Sequence, residues 1–446
     1  MQDHYSTSNI PTLQKITESF FSFCKRLRGI EAISGVVLLV FACLAMYWAN
    51  SQYAESYQSF LHTKISLSIA GWVLSADMHF IINDILMTIF FLVVGLEVRR
   101  EIHDGALADL RVAFLPIMAA FGGVIVPALV YWMISSPEIY QGWATPTATD
   151  IAFAVGVLAL LGKSVPSSVR IFLLTLAIID DIVAVLIIAL FYSDGLNIFG
   201  LNYFIAGVAI IILLQKMGVF SLTPYILPSI LIWYGLLKIG VHPSLAGVLI
   251  GLMTPVFSRP HHITHLQQLE NTLNEYKSAN TSDLQQCVYK LQNAQRELIA
   301  PVERVNYIFS PWVAFLIMPL FALANAGVNI SEVDLSMLGT INAMVAIAVA
   351  LVIGKPVGIF LTTWFFIYTG LGRLPTGFNY RWLFLISCLA GIGFTMSIFI
   401  ANLAFTDTVL LASAKIGILI GSSIAAILGL ALGLWIIYSM KRSHNT

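Results

Sequence analysis

The sequence predicts an all-α polytopic membrane protein with about 12 transmembrane helices, and three observations carry that reading. Of 446 residues, 58% are hydrophobic and 10% charged, against about 45–50% and about 25% in a soluble globular domain. Apolar runs recur along the chain, most of them near the roughly 20 residues that a helix needs to cross a bilayer. Lysine and arginine fall almost entirely on one side when those runs are threaded alternately. Such a composition excludes a string of soluble domains. With 23 acidic and 23 basic residues, no net field attracts nucleic acid. Cys24, Cys43, Cys287 and Cys388 have no C-x-x-C spacing, which argues against a zinc site, a haem attachment or a disulfide framework.

By hydropathy the spans fall roughly at 30–50, 79–98, 112–134, 146–162, 168–192, 199–217, 222–238, 241–258, 307–329, 338–367, 380–405 and 409–438. Residues 1–29 are polar, with Lys25, Arg26 and Arg28 near their end, and read as a cytoplasmic segment rather than a cleaved signal peptide. The expected order is then spans 1–8 over 30–258, an insertion over 259–306, spans 9–12 over 307–438, and a tail over 439–446. With the amino terminus inside, nineteen lysines and arginines lie on inside segments against Lys64, Lys238 and Lys415 outside, which puts both termini in the cytoplasm. The insertion is rich in Gln and Asn, with apolar residues at loose helical spacing. His261, His262 and His265 at its start have no Cys or carboxylate cluster beside them, so a solvated loop is expected there rather than a metal site. Ser66, Leu67, Ser68 and Ile69 give the 51–78 loop some alternation.

Ionisable side chains inside a bilayer are costly and mark functional sites by default. Here they are Asp84, Glu97, Asp150, Asp180, Asp181 and Lys355. Asp180 and Asp181 have about twelve residues of the fifth span on either side, near the midplane. Neighbours on a helix point about 100° apart, so both can border one cavity without facing each other. Two adjacent carboxylates in a low dielectric cannot both ionise cheaply, and a hard cation relieves them. Protons and the cation then compete for the same oxygens, and competition joined to alternating access is an exchange mechanism. Hydrogen-bonded glue between helices is the competing reading, but a single Asn or Thr would serve that purpose more cheaply.

Asp150 follows Pro146, Thr147 and Thr149 at the start of a short span. That pattern implies irregular backbone, tolerated at membrane depth only where it is buried or lines a cavity. The dipole of a half-helix would stabilise Asp150 there; an N-cap at the membrane surface is the alternative. Lys355 should pair with a carboxylate or meet a carbonyl-rich helix end, with Pro356 loosening the helix beside it. Snorkelling to the interface is its alternative. Gly391-Ile-Gly-Phe-Thr395 reads as a second broken helix. Discontinuous helices in the fourth and eleventh spans stand where the halves of an inverted-topology repeat would put them. Glu97 lies near the cytoplasmic interface with Arg100 and Glu101 a turn away, and by position alone it is part of an interfacial ion-pair cluster. Asp84 reads as a partly solvated cap and His242 as an interfacial polar contact.

In order along the chain stand Asn83-Asp84, Gly95-Leu-Glu-Val-Arg-Arg-Glu101, Thr149-Asp-Ile-Ala-Phe-Ala-Val-Gly156, Leu176-Ala-Ile-Ile-Asp-Asp181, Ala324-Asn-Ala-Gly-Val328, Ile353-Gly-Lys-Pro356 and Gly391-Ile-Gly-Phe-Thr-Met-Ser397. This series resembles the NhaA family of sodium/proton antiporters over about residues 29 to 438. Members of that family are themselves known cases of inverted repeats, so repeat and resemblance are one inference. The resemblance implies that Asp180 and Asp181 are the ion- and proton-binding pair. It implies that Thr149 and Asp150 lie in an unwound fourth span, helping to form the site and to balance helix-end charge. Lys355 would pair with the first carboxylate, and Glu97, Arg100 and Glu101 would form a cytoplasmic cluster linked to pH control. It further implies electrogenic exchange of more protons than sodium or lithium ions, and homodimers in the bacterial inner membrane joined partly through the loop at 51–78.

One stretch departs from the family pattern. Members often carry Glu-His-x-x-His-Pro-Trp at the start of the ninth span, where this chain has Asn306-Tyr-Ile-Phe-Ser-Pro-Trp312. Asn306, Tyr307 and Ser310 therefore replace a glutamate and two histidines of the pH-response region, and the pH profile is not expected to carry over. The expected function is exchange of external protons for cytoplasmic sodium or lithium by a transporter that is no enzyme and needs no cofactor. The alternatives are sodium-coupled symport of an organic anion on a related fold, a cation channel, and an intramembrane aspartyl protease built on Asp150 and Asp180. The protease lacks its Gly-x-Gly-Asp context and gives Lys355 no role.

Overall fold

A chain this apolar must satisfy its backbone hydrogen bonds internally, and helices do so within each segment. The computed structural model describes residues 31–69, 72–193, 197–219, 221–256, 300–330, 338–375 and 377–444. Their helices are α1 (Glu31–Ala49) and α2 (Ala54–Leu61), α3 (Met78–Asp104), α4 (Leu110–Ile134), α5 (Ile151–Leu160), α6 (Ser167–Phe191), α7 (Ile198–Lys216), α8 (Thr223–Ile239) and α9 (Leu245–Met253). After residue 300 follow α10 (Pro301–Asn325) and α11 (Gly339–Tyr368), α12 (Tyr380–Ala390), α13 (Phe394–Ala404) and α14 (Thr408–His444). The protein is an all-α polytopic membrane protein. His261, His262, His265 and nearly all of the 259–306 insertion lie outside the described residues.

Three details differ from the hydropathy reading. First, seven of the described helices are long and apolar enough to cross a membrane, or up to ten if each bent pair is one span, against about twelve expected. The shortfall lies in the seventh and eighth windows. There α8 has 17 residues and α9 only nine, and at about 1.5 Å per residue nine residues do not cross a core of about 30 Å. Second, the fourth span does not begin at 146. A 3-10 helix, Pro137–Thr147, leads into it, and Pro137, Glu138 and Gln141 keep that stretch below the hydropathy threshold. Third, two strands interrupt the helices. β1 (Lys64–Ile69) pairs antiparallel with β2 (Trp72–Asp77), from Lys64 opposite Asp77 to Ile69 opposite Trp72. The alternation read at 66–69 lies on β1.

Two bends shape the interior. The Pro137–Thr147 helix and α5 meet at 51°, and α12 and α13 at 43°. A third, of 117° between α1 and α2, folds α2 onto the end of α10. There Tyr57 donates to the Leu323 carbonyl at 2.8 Å. Before that bend, Asn50 donates to the Val328 carbonyl at 2.7 Å and accepts from the Ile330 N–H at 2.9 Å.

Lipid tails are as apolar as leucine, so helices in a bilayer associate through close packing of small residues. On α3 and α9 the backbones touch: a Cβ on Gly95 would lie 2.6 Å from the Val248 carbonyl oxygen, and one on Gly251 2.7 Å from that of Leu92. One on Gly247 would run into the Thr88 carbonyl. Gly122 of α4 and Gly358 of α11 meet in the same way. Gly247→Leu is therefore expected to cost about 1–3 kcal/mol by overpacking, read as a lower melting temperature in detergent. Gly339→Ala should leave melting unchanged, since its added Cβ meets nothing nearer than Glu138 Oε2 at 4.0 Å.

Candidate functional site

The two bent segments cross at their breaks. Ala148 and Asp150 have extended backbone, and the Asp150 N–H donates to the Ile392 carbonyl at 2.7 Å. A Cβ on Gly393 would sit 3.1 Å from the Ala148 carbonyl oxygen, and one on Gly391 2.6 Å from that of Leu351. Gly393 thus lets the second segment approach the first, and Gly391 lets it approach α11.

The two breaks leave four helix ends inside the protein; two side chains meet three of them, and the Thr149 hydroxyl stands 3.1 Å from the fourth, the Ala390 carbonyl. Asp150 caps both amino-terminal ends. Its Oδ1 accepts from the Phe153 N–H at 3.0 Å, and its Oδ2 accepts from the Thr395 N–H at 3.1 Å and from the Thr395 hydroxyl. A carboxylate suits these positive dipole ends. It is a true N-cap, fully buried within the protein. Lys355 meets the carboxyl-terminal end of the 3-10 helix, donating to the Thr147 carbonyl at 2.5 Å. Ser422 of α14 adds a cap by accepting from the Phe394 N–H at 3.0 Å.

Lys355 also stands 3.0 Å from Asp180 Oδ2, so it reaches a carboxylate and a helix end at once and does not snorkel. The turn before it, Ala350–Gly354, is π-helical, next to Pro356, which has no N–H to give. The Thr149 hydroxyl donates to the same Asp180 Oδ2 at 2.6 Å and stands 3.1 Å from the Ala390 carbonyl. Thr149, Asp150, Asp180, Asp181 and Lys355 are all at most 1% exposed. The structure thus gathers five of the expected site residues into one buried cluster, with the carboxylate pair near the middle of α6.

The charges do not balance. Lys355 faces Asp180, and Asp150 faces two helix ends. Asp181 has no cation at salt-bridge distance among the described residues, and its Oδ1 and Asp180 Oδ1 have no hydrogen-bond partner. Within charge-interaction range of Asp181 lie Asp180, Glu97, Asp150 and Lys355. Two buried oxygens on adjacent residues therefore have no hydrogen-bond partner among the described residues, and both are open to a hard cation or to protons.

The expected pH-response residues sit elsewhere. Arg100 lies 3.8 Å from Glu101, an exposed guanidinium against a half-buried carboxylate at long range, a pair of little energetic weight. Glu101 also accepts from the Ala106 N–H at 2.9 Å. Half-buried Glu97 is the member of this group within charge range of Asp181. On α10 the Ser310 hydroxyl donates to Asn306 Oδ1 at 2.5 Å, a turn apart on one face, and Tyr307 is exposed. Asp84 and His242 are half-buried outside the cluster. Sequence reasoning missed Thr395 as an Asp150 partner, although it lies in the quoted motif. It had no signal for Ser422, one serine in a long apolar run. No group of three or more His, Cys, Asp or Glu residues capable of holding a metal ion occurs among the described residues.

Comparison with known proteins gives the family. Residues 25–432 match the family described as Na+/H+ antiporter 1. A Na(+)/H(+) antiporter NhaA of Janthinobacterium sp. (strain Marseille) is 52% identical over 445 residues, covering 98% of this chain and 97% of that one. Na(+)/H(+) antiporter NhaA 2 of Pseudomonas putida (strain KT2440) is 53% identical over 433 residues, 96% of each chain. An NhaA antiporter of Bartonella henselae (strain Houston 1) is 48% identical over 449 residues, 99% of each. The chain belongs to the Na+/H+ antiporter 1 family.

Proposed function

We propose that this chain, a sodium/proton antiporter of the bacterial membrane, performs its exchange at one site where Na+ and protons compete for Asp180 and Asp181. The observation that carries this reading is the unmatched pair of buried oxygens on Asp180 and Asp181 beside a single lysine. Deprotonation on one side lets Na+, or Li+, seat between the carboxylates, with Thr149 or nearby carbonyls completing its shell. The site then opens to the other side and protons displace the ion. Asp150 and Lys355 keep the crossed helix ends neutral throughout. Exchange of more protons than cations makes the cycle electrogenic. A site that must hold an organic anion would not present two bare carboxylates, which disfavours symport of such an anion.

The finer arrangement follows from the same residues. Each bent segment is flanked by two long helices, α4 and α6 about the first and α11 and α14 about the second, as inverted repeats would have it. The 19-to-3 bias of lysine and arginine supports cytoplasmic termini and a cytoplasmic insertion at 259–306. Two-stranded sheets leave edges open to pairing, which supports a homodimer joined through β1 and β2. Glu97, Arg100 and Glu101 then line the cytoplasmic approach, where Glu97 senses pH through its charge interaction with Asp181.

Asp181→Asn is expected to abolish Na+-dependent proton flux in everted vesicles, and measurable flux in a folded variant would sink the assignment. Lys355→Ala strips the cation from a buried pair, at a cost of about 3–5 kcal/mol, so its melting temperature should fall sharply; unchanged melting would reject the charge-balancing role. Because ion and proton compete, lowering the pH by one unit should weaken apparent Na+ affinity by up to about tenfold per proton displaced. Calorimetric titration of Na+ at several pH values measures that slope, and a flat slope would defeat competition.

A further inference from the structure

A groove of about 620 Å³ runs between α4, α6 and the 3-10 helix on the outside of the bundle. Phe121, Ile125, Leu129 and Trp132 form one wall, spaced as a single stripe of α4 and each roughly half exposed. Val183 and Ile187 of α6 form the facing wall. Tyr140 and Trp143 of the 3-10 helix complete the lining. The Trp132 and Tyr140 rings lie 5.5 Å apart, and Trp143 meets Phe191, the last residue of α6, at 5.4 Å. These aromatic residues therefore mark one level, where α4 and α6 both end. It is the end that bears the hairpin, since α3 leaves β2 there and α4 runs back to it.

From Trp132 back to Phe121 the groove follows eleven residues of α4, about 16 Å at about 1.5 Å per residue. That is close to half of a hydrocarbon core of about 30 Å, the depth of one leaflet. No Asp, Glu, Lys, Arg or His lines it, so neither an organic cation nor an anionic headgroup finds a counter-charge there. Cavities with such a lining stay dry. At the aromatic end, however, the two indole N–H groups and the Tyr140 hydroxyl have no hydrogen-bond partner among the described residues. An indole can only donate, and Trp and Tyr gather at membrane interfaces because one end is apolar and the other needs a polar partner. The occupant that fits is hydrocarbon over the depth of one leaflet, with neutral acceptors at its head.

We propose that this groove binds the acyl tail of one phospholipid from the leaflet on the hairpin side, with its ester carbonyls accepting from the Trp132, Tyr140 and Trp143 end. Ester carbonyls are neutral acceptors placed at the boundary between tail and headgroup, which is where these donors stand. The tail is held by three elements, α4, α6 and the 3-10 helix, whereas an ordinary boundary lipid rests on a convex surface, so this one outlasts extraction into detergent. Two of the three elements belong to the exchange site. Val183 lies three residues, about one turn, beyond Asp180 on α6. Tyr140 and Trp143 stand on the helix that leads into Thr149 and Asp150. The lipid tail thus packs against both segments on which the carboxylates are mounted.

The test is native mass spectrometry of the full chain in detergent, after incubation with an equimolar mixture of phosphatidylcholine and its diether counterpart, which lacks the ester carbonyls. Wild type is expected to retain phospholipid and to favour the diester about threefold, within the range that one hydrogen bond supplies. Ala128→Trp, which fills the groove from α4, should retain one lipid fewer per chain. Leu361→Trp, on the exposed face of α11, should retain as many as wild type. Replacing Trp132, Tyr140 and Trp143 together by Phe keeps the rings, removes the donors and should abolish the preference for the diester. An unchanged lipid count in a folded Ala128→Trp overturns the proposal; if that variant does not fold, an unchanged diester preference in the triple variant overturns it. Wild type that retains no lipid also overturns it, as does loss of a second copy of the chain, rather than of a lipid, in Ala128→Trp.

Discussion

A lysine with no exposed surface, held between Asp180 and the carbonyl end of a broken helix, is the contact on which the rest of the interior depends. Helices broken at membrane depth leave partial charges that hydrocarbon cannot solvate. Lys355 answers one of the carbonyl ends and Asp150 both amino-terminal ends. Because each also touches a second partner, neither can be removed without stranding a buried group. The crossing is therefore a single electrostatic unit rather than a set of separate bonds, and it fixes where α5, α6, α11 and α13 sit. It also uses up the one buried cation near the carboxylate pair, which is why Asp181 is left with none.

Much of this was legible in the residues because charge is so expensive in an apolar chain. Asp150, Asp180, Asp181 and Lys355 stood out with no alignment, and the structure places them together with Thr149. Pro146 and Gly391-Ile-Gly393 marked the two breaks, since each disturbs a helix in a way that apolar neighbours cannot hide. What stayed illegible was made of small polar residues. Thr395 and Ser422 act through hydrogen bonds across distant segments, and one serine or threonine in an apolar run has many cheaper explanations. The 3-10 stretch from Pro137 to Thr147 was missed for another reason. Its residues are polar enough to read as a loop, yet Ile139, Ala144 and Thr147 are buried by their neighbours rather than by lipid. The nine-residue α9 fails as an apolar crossing for the converse reason, since hydropathy counts apolar residues and takes no account of where Pro255 ends the helix.

The comparisons add breadth to the local reading. Identity near one half over almost the whole chain extends through the outer helices, where the motifs are sparse. The departure at Asn306, Tyr307 and Ser310 has a local physical meaning all the same. Two of the three side chains bond to each other on one helix face, so that surface has exchanged titratable groups for a neutral self-satisfied pair. The helix that carries them starts on Pro301.

The unmatched charge of Asp181 bears on slippage. A carrier that reorients while empty dissipates the proton gradient or leaks the ion, and many transporters need a separate gate to prevent it. Here an empty, deprotonated site would have to carry a bare carboxylate past hydrocarbon. A single charge at the bilayer centre costs about 2.5–3.5 kcal/mol on insertion scales, which thins that traffic roughly a hundredfold. On the proposed cycle, the same segment loaded with Na+ or with protons would move without that burden. On that cycle, tightness of coupling would follow from how many positive charges the core contains, and one more beside Asp181 would turn an exchanger into a leak.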